Sequence, residues 1–560
     1  MINLCRNEVY MENCKIKCVS SLTKVFPTKE PMDDLKDVQL SAFQNEVVSF
    51  QVAYYGEVDI AEFVTLDVRS SFQGRIHTRL VKLMPSVFPC GPNRDDNYLD
   101  TKSGLYPDLL RNIKNGQVQI IPGQWHSVWI DMEPSQVTPA GEYPIEISLK
   151  DSEGKLLCNT SITVKIYEGM LPEQKIKSTQ WFHADCLADY YHEKPWSKEH
   201  WDILDSFFSI YAKRGMNTIL TPTHTPPLDT AVGGERTTVQ LVDITVEDGQ
   251  YYFDFTKLKQ WIDLCQKYGI TYFEIAHLFT QWGAKHAPKI MAWENSNYKK
   301  IFGWETDAKS EEYASFLKAY LTALTEQLNQ YDLQGKVYFH LSDEPEEKDI
   351  EAYEYAKSIV KPYIGDYPII DALSRYQFYE NGLVDNPVPG INHLEPFLEN
   401  KVPGLWGYYC CAQGSEVSNR FFAMPSARNR ILGMQLYKYG IEGFLQWGFN
   451  FYNTRYSLEQ INPYEVTDAG GAFQSGDAFL VYPGADRKPE ESIRIMVFAE
   501  AMQDIRALEW LETLTSKEEV VKLIEEELDE PMTFKKYPKD NGYILKLRSK
   551  VNALIHQLIK

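Results

Sequence analysis

Apolar and polar residues alternate in short runs through the first 170 residues: EVVSFQVAYY, FVTLDV, IHTRLVKLMPSVF and QWHSVWIDM, then YPIEISL and SITVKIY joined by the turn-like DSEG. This period-two pattern, punctuated by Gly, Pro and Asp, predicts strands with one buried face, because successive strand side chains point to opposite sides. Almost no helical period interrupts it, so residues 1–172 are expected to form an antiparallel β-sandwich. The run GMLPEQ, 169–174, marks its end.

Beyond that run the period changes to strand, helix, strand. STQWFH (178–183) precedes a helix that puts Trp201, Leu204, Phe208 and Tyr211 on one face, with Ser197 as N-cap and Gly215 as stop. MNTIL (216–220), an excursion containing a hairpin, a helix around 256–268 and ITYFEIA (270–276) follow. A helix near 311–331 aligns Tyr313, Phe316, Leu317, Tyr320, Leu324 and Leu328, and leads through Gly335 into VYFHLS (337–342). YPIIDA (367–372), GINHL (390–394), GLWGYY (404–409), a helix near 420–438 and GIEGFLQW (440–447) complete eight alternations. Over 173–514 the pattern predicts a (β/α)8 TIM-like barrel with enlarged loops, an open doubly wound sheet being the competing arrangement. Residues 515–560, with EEVVKLIEEEL, are expected to be a C-terminal helical extension that packs rather than reacts. The chain has no internal repeat and no GxGxxG or P-loop motif.

Composition narrows the classes. A chain of 560 residues exceeds one hydrophobic core, and 35 Tyr, 27 Phe and 12 Trp supply more aromatic surface than a core requires. A formal charge of −21 repels phosphate backbones and no basic stripe overcomes it, so nucleic acid is excluded as partner. The opening run lacks a secretion signal and no apolar stretch reaches the roughly 18 residues that spanning a bilayer requires, so no membrane span and a cytoplasmic placement are expected. The nine cysteines, Cys5, Cys14, Cys18, Cys90, Cys158, Cys186, Cys265, Cys410 and Cys411, show no zinc spacing and read as buried or idle thiols rather than a disulfide framework. Cys14 and Cys18 have no second pair with which to hold a metal.

The chemistry concentrates at predicted strand ends, where the loops of a barrel build its active site. VYFHLSDEP ends a strand in adjacent carboxylates, Asp343 and Glu344. His183 and Asp185 follow the first strand, His277 and Trp282 the third; Trp406 and Tyr408 lie on the seventh, and Trp447 and Asn450 follow the eighth. Arg236, in GGERTTVQ, is placed either on a substrate hydroxyl or on its own loop. Acids ringed by aromatics suit a sugar, whose C–H faces stack on flat rings while acids serve the acetal oxygen. The long loop 277–310, with Trp282, Trp293 and Trp304, reads as a lid or subsite wall.

The usual two-carboxylate routes need acids roughly 5–9.5 Å apart on opposite sides of the sugar, which sequence neighbours rarely span. Asp343 and Glu344 fit a substrate that brings its own nucleophile, a 2-acetamido carbonyl. In that role Glu344 is acid and base, its pKa raised by the Asp343 charge, and Asp343 steadies the acetamide N–H and the positive oxazolinium. Three alternatives stay open: a conventional retaining glycosidase pairing Glu344 with Glu395 (Glu442 sits too early on its strand), a metal site at His183, Asp185 and His277, and a catalytically silent carbohydrate-binding protein.

Several runs together resemble glycoside hydrolase family 123, the β-N-acetylgalactosaminidases and their uncharacterised relatives: WFHADCLADYY, LTPTHTPPLDTAVGGERTTVQLVD, FEIAHLFTQWGAKHAPKI, FHLSDEP and GDAFLVYPG followed by SIR. They cover most of 178–495, and TPAGEYPIEISL resembles the family's sandwich. The resemblance implies a metal-free, cofactor-free barrel enzyme that releases terminal β-linked N-acetylgalactosamine with retention through acetamide participation. Its partner would be a glycan or glycoconjugate ending in an N-acetylhexosamine, and its acid pair falls on Asp343 and Glu344. Glu500-Ala-Met-Gln-Asp504 departs from the family's more Gly-rich run.

Overall fold

The computed structural model describes residues 14–32, 34–35, 38–57 and 63–560; Cys5 lies outside them. By contacts the chain divides into two compact units, one of 1–175, 415–439 and 490–560, the other of 176–414 and 440–489.

Among its described residues the first unit carries the strands β1 (Cys14–Ser20), β2 (Leu40–Phe43), β3 (Val48–Gly56), β4 (Phe63–Ser70), β5 (Gly74–Ser86), β6 (Gly104–Asn112), β7 (Gln117–Gln119), β8 (Trp125–Pro134), β9 (Gly141–Lys150) and β10 (Leu156–Tyr167). They form two five-stranded sheets, β1-β3-β8-β5-β6 and β2-β10-β9-β4-β7, antiparallel throughout except where β2 runs parallel to β10. Along β9 the expected alternation is plain: Tyr143, Ile145, Ile147 and Leu149 are buried while the residues between them are half-buried or exposed. Cys14 of β1 and Cys158 of β10, with Cα atoms 5.8 Å apart, form a disulfide rather than idle thiols. Their 144-residue separation hid that approach in the sequence.

Four longer helices, Ser426–Tyr439, Ile493–Leu514, Lys517–Glu525 and Asn541–Leu558, belong to the same unit. A Cβ on Gly433 would lie 2.4 Å from the carbonyl oxygen of Ala501, so the first two helices meet where only glycine fits. Buried guanidinium groups here require opposite charges. Arg430 Nε reaches Asp504 at 2.8 Å and its Nη1 reaches Glu500 at 2.9 Å, while Arg494 Nε reaches Asp108 at 2.8 Å. The acids of the Glu500–Asp504 run are thus counter-charges of Arg430.

The second unit is built on short parallel strands: β11 (Lys177–Gln180), β12 (Thr218–Thr221), β15 (Tyr272–Ile275), β18 (Val337–Phe339), β19 (Ile370–Ala372), β20 (Asn386–Val388), β21 (Trp406–Tyr408) and β22 (Gly443–Gln446). Between them an excursion folds as a separate sheet of β13 (Asp243–Glu247), β14 (Gln250–Asp254), β16 (Ile290–Glu294) and β17 (Asn297–Phe302). The parallel ladders are small and open: β11-β22-β21, β12-β15-β18 and β19-β20. Single parallel bridges, Phe339 to Ile369 and Gly390 to Tyr408, lie between them. Two strand boundaries differ from expectation. GINHL is not a strand; the pairing stretch is Asn386–Val388, and the His393 N–H turns back to Gly390 at 2.7 Å. VYFHLS is strand only to Phe339; beyond it the N–H groups of Leu341 and Ser342 go to the Asp371 carboxylate.

The expected helices are present. Lys198–Lys213 begins at Ser197, whose side chain accepts the His200 N–H, and chain reversal follows at Gly215 with φ 92°. Glu311–Gln330 buries all six residues of its predicted stripe. Among the described residues no helix is long and apolar enough to cross a membrane.

Candidate active site

A cavity of about 320 Å3 in the second unit is lined by six of the residues singled out above: His183, Trp282, Asp343, Glu344, Tyr408 and Trp447. The backbone sets out the acid pair. Trp282 donates its N–H to the Asp343 carbonyl at 3.0 Å, and Glu344 donates its own to Ala372 at 3.0 Å. Glu344 has φ 46°, a left-handed conformation that costs a non-glycine residue roughly 1–2 kcal/mol and persists only where surroundings enforce it. Its side chain is pinned by the Tyr408 hydroxyl, which donates to Oε1 at 2.7 Å. Burial, then the Glu344 charge, push the Tyr408 phenol well above its usual range, so it stays a neutral donor.

Burial and the neighbouring Glu344 carboxylate push the Asp343 carboxyl well above its ordinary range; Asp371 and Asp229 add to this and His340 opposes it. The upward pressure on Asp343 thus comes from burial and from three neighbouring acids. Asp229, another carboxylate on the cavity wall, is lifted to about 6 by burial, against the Tyr456 N–H and two arginines. The Gln281 side chain accepts its backbone N–H at 2.7 Å, and Tyr456 N–H donates to its Oδ2 at 3.0 Å.

The other predicted residues take different places. Asp185 and Arg236 line a second, polar cavity of about 450 Å3 and bind each other, Nε to Oδ2 at 2.7 Å and Nη2 to Oδ1 at 2.8 Å. Arg236 Nη2 also lies 3.0 Å from His183 Nδ1, whose other nitrogen meets the Trp447 carbonyl at 2.9 Å. Burial and the Arg236 charge hold His183 down at about 3, so it faces the cavity neutral. Asn450 is fully buried and clamps the His183 backbone from both sides, at 2.9 Å each. Trp406 is packed in apolar core 5.4 Å from Tyr338, over Gly443, where a Cβ would strike its ring at 2.0 Å. His277 is buried below the cavity with its ring stacked 4.3 Å from His340. Trp293 is half-exposed on β16, against Tyr298. Glu395 is exposed at the start of a short helix and Glu442 faces Lys177; neither lines the cavity.

Several wall residues escaped the sequence reading. Trp181 is only 2% exposed yet lines the cavity, its Nε1 held by Glu274 at 3.0 Å. Phe473 meets Trp447 edge to face, and Trp447 is itself aimed by Asp477 at 2.9 Å. Tyr456 meets Trp282 edge to face at 5.7 Å. The acids and their aromatic wall are therefore carried by the end of β21 and by the segments that follow β11, β15, β18 and β22.

Residues 181–511, more than half of the chain, match the model of the glycoside hydrolase 123 catalytic domain. The chain belongs to glycoside hydrolase family 123. It is a glycoside hydrolase by that membership. Among solved structures, a family 123 glycoside hydrolase from Clostridium perfringens, described for glycolipid glycan hydrolysis, aligns over 98% of both chains with 15% identity and a TM-score of 0.72. A Vibrio harveyi family 20 exo-β-N-acetylglucosaminidase aligns at 8% identity over 87% of this chain and 98% of its own, with a TM-score of 0.30. A β-glucuronidase from Parabacteroides merdae aligns at 11% identity over 87% of this chain and 51% of its own, with a TM-score of 0.31. No curated protein sequence matches the chain. The family 123 model spans Asp343, Glu344 and every wall residue named above, so acid pair and aromatic wall fall inside the matched region.

Proposed function

We propose that this family 123 enzyme is a retaining exo-β-N-acetylhexosaminidase that releases terminal β-linked N-acetylgalactosamine by substrate-assisted catalysis. The supporting observation is that two adjacent carboxylates, Asp343 and Glu344, line one aromatic-walled cavity while the expected rival nucleophile, Glu395, stands outside it. In this reading the short parallel ladders are the staves of one (β/α)8 barrel with the cavity at its carboxyl end.

In the free enzyme burial and the Glu344 charge favour the protonated form of Asp343. A 2-acetamido N–H donated to Asp343 favours the ionised form there and shifts the proton to Glu344. Glu344 then protonates the glycosidic oxygen as the bond from the anomeric carbon breaks and the acetamide carbonyl oxygen closes on that carbon. Asp343 accepts the N–H and balances the positive oxazolinium. After the alcohol leaves, the Glu344 carboxylate takes a proton from water, whose oxygen opens the ring and restores the β configuration. Two inversions give net retention. No step uses a metal or cofactor. A glycolipid glycan, the substrate named for the Clostridium perfringens relative, is one natural substrate to test. The Cys14–Cys158 bridge persists in an oxidising compartment, so the cytoplasmic placement is not carried forward.

One observation favours a second reading: Asp229 puts another carboxylate on the same wall, where a conventional nucleophile could stand. Comparing turnover of aryl β-N-acetylgalactosaminide with the plain aryl β-galactoside separates the two. Acetamide participation predicts at least a hundredfold preference for the first substrate and severe loss in Asp343→Asn; comparable rates on both substrates would favour Asp229.

A further inference from the structure

Three fully buried side chains, Glu274, His340 and Asp371, bond to one another, to the backbone that leads into Asp343 and to the cavity wall. His340 Nδ1 is 3.0 Å from Asp371 Oδ1 and its Nε2 is 2.9 Å from Glu274 Oε2. Both carboxylates and the ring have no exposed surface. With both acids ionised, a neutral imidazole would turn one lone pair toward a carboxylate oxygen, whereas the ring with hydrogen on both nitrogens satisfies both contacts. Asp371 also accepts the N–H groups of Leu341 at 3.1 Å and Ser342 at 3.3 Å, together with the Tyr353 hydroxyl. Glu274 Oε2 in turn accepts the indole N–H of Trp181, part of the cavity wall. The strand end that delivers Asp343 and Glu344 and the ring that walls their cavity are therefore tied to the same cation.

We infer that Glu274, His340 and Asp371 act as one positioning unit, an imidazolium between two buried carboxylates, which pins the backbone entering Asp343 and supplies the positive charge that lets Asp343 ionise. The inference rests on the reading of Asp343 and Glu344 as the reacting pair. The groups facing His340 are Glu274 of β15, Asp371 of β19, the stacked His277 that follows β15, and Asp343 on its own strand end. His277 is held neutral by burial and by the His340 charge, and behind it His224 Nε2 meets its carbonyl at 2.8 Å. His277, His340 and Asp371 gather ligand atoms within 4.8 Å, but an imidazolium has no lone pair to offer a metal. Burial works against the His340 charge, and the Asp371 and Glu274 bonds outweigh it, lifting the ring to about 9.

The test is a pH titration of the histidine Cε1–H resonances in the full-length, 13C-histidine-labelled protein, with His340→Gln to assign the signal. His340 is expected to stay protonated up to pH 8 and to titrate at least one unit lower in Asp371→Asn; a ring neutral at pH 7 in the wild type overturns the inference. On aryl β-N-acetylgalactosaminide, His340→Gln is expected to lower kcat at least tenfold with KM within threefold, and to move the acid limb of the pH profile upward. An unchanged limb overturns the charge role even if kcat falls. Should the variant fail to fold, the wild-type titration alone decides. Failure of the wild type to discriminate by the acetamido group would sink the mechanistic reading while leaving the titration result standing.

Discussion

Tyr408→Phe removes one oxygen from the cavity wall and keeps the ring that fills the site. The lost bond, 2.7 Å to Glu344 Oε1, holds a carboxyl whose backbone already sits at φ 46°, so the side chain loses its main directional restraint. A hydrogen bond to a charged group contributes about 1.5–3 kcal/mol. Water entering the open cavity recovers part of that. A net loss of about 1.5–2 kcal/mol corresponds to a fall of roughly ten- to thirtyfold in rate. The fall belongs in kcat, since Tyr408 positions the proton donor, and it should be larger for a disaccharide than for a 4-nitrophenyl glycoside, whose leaving group needs little acid help. Steady-state kinetics on both substrates reads this directly, with thermal midpoints to confirm an intact fold. A disaccharide rate within twofold of wild type would refute the role given to the Tyr408–Glu344 contact.

Three further outcomes follow from the same geometry. Asp229, lifted to about 6 by burial, should bind substrate hydroxyls as a carboxylate, so KM should rise as pH falls through that value and Asp229→Asn should flatten the rise. His224, held down at about 4 by burial against its usual 6.5, contributes stability above pH 6.5 that is lost as pH falls toward 4. The thermal midpoint advantage of wild type over His224→Gln should therefore shrink across that window; a constant difference would contradict the burial argument. Asp185→Asn leaves the Arg236 guanidinium buried without its counter-charge, a loss on the order of 3–5 kcal/mol, and a thermal midpoint unchanged from wild type would show that the pair is not structural.

Much of the second unit was legible because parallel strands buried on both faces read as compact apolar runs, and seven of the eight expected runs contain a strand residue for residue or nearly so. GINHL misled because Pro387 and Pro389 disguise the true pairing stretch beside them. The acid pair stood out as a polar interruption of an apolar strand. Glu274 and Asp371 did not, since single acids inside YFEI and IIDA look like strand-end polars until three strands converge. Trp406 and Tyr408 share a face by period two, yet one is core and the other cavity wall. Depth along the strand separates them, and periodicity carries no depth. The Cys14–Cys158 contact likewise depends on two sheets meeting, which no local pattern encodes.

A crystal structure with the galacto-configured thiazoline analogue of the cyclised intermediate bears most directly on acetamide participation. The account predicts the analogue in the cavity with its ring nitrogen about 3 Å from the Asp343 carboxyl and Glu344 beside the anomeric carbon. A ring nitrogen turned away from Asp343, or an analogue seated outside that cavity, would contradict it.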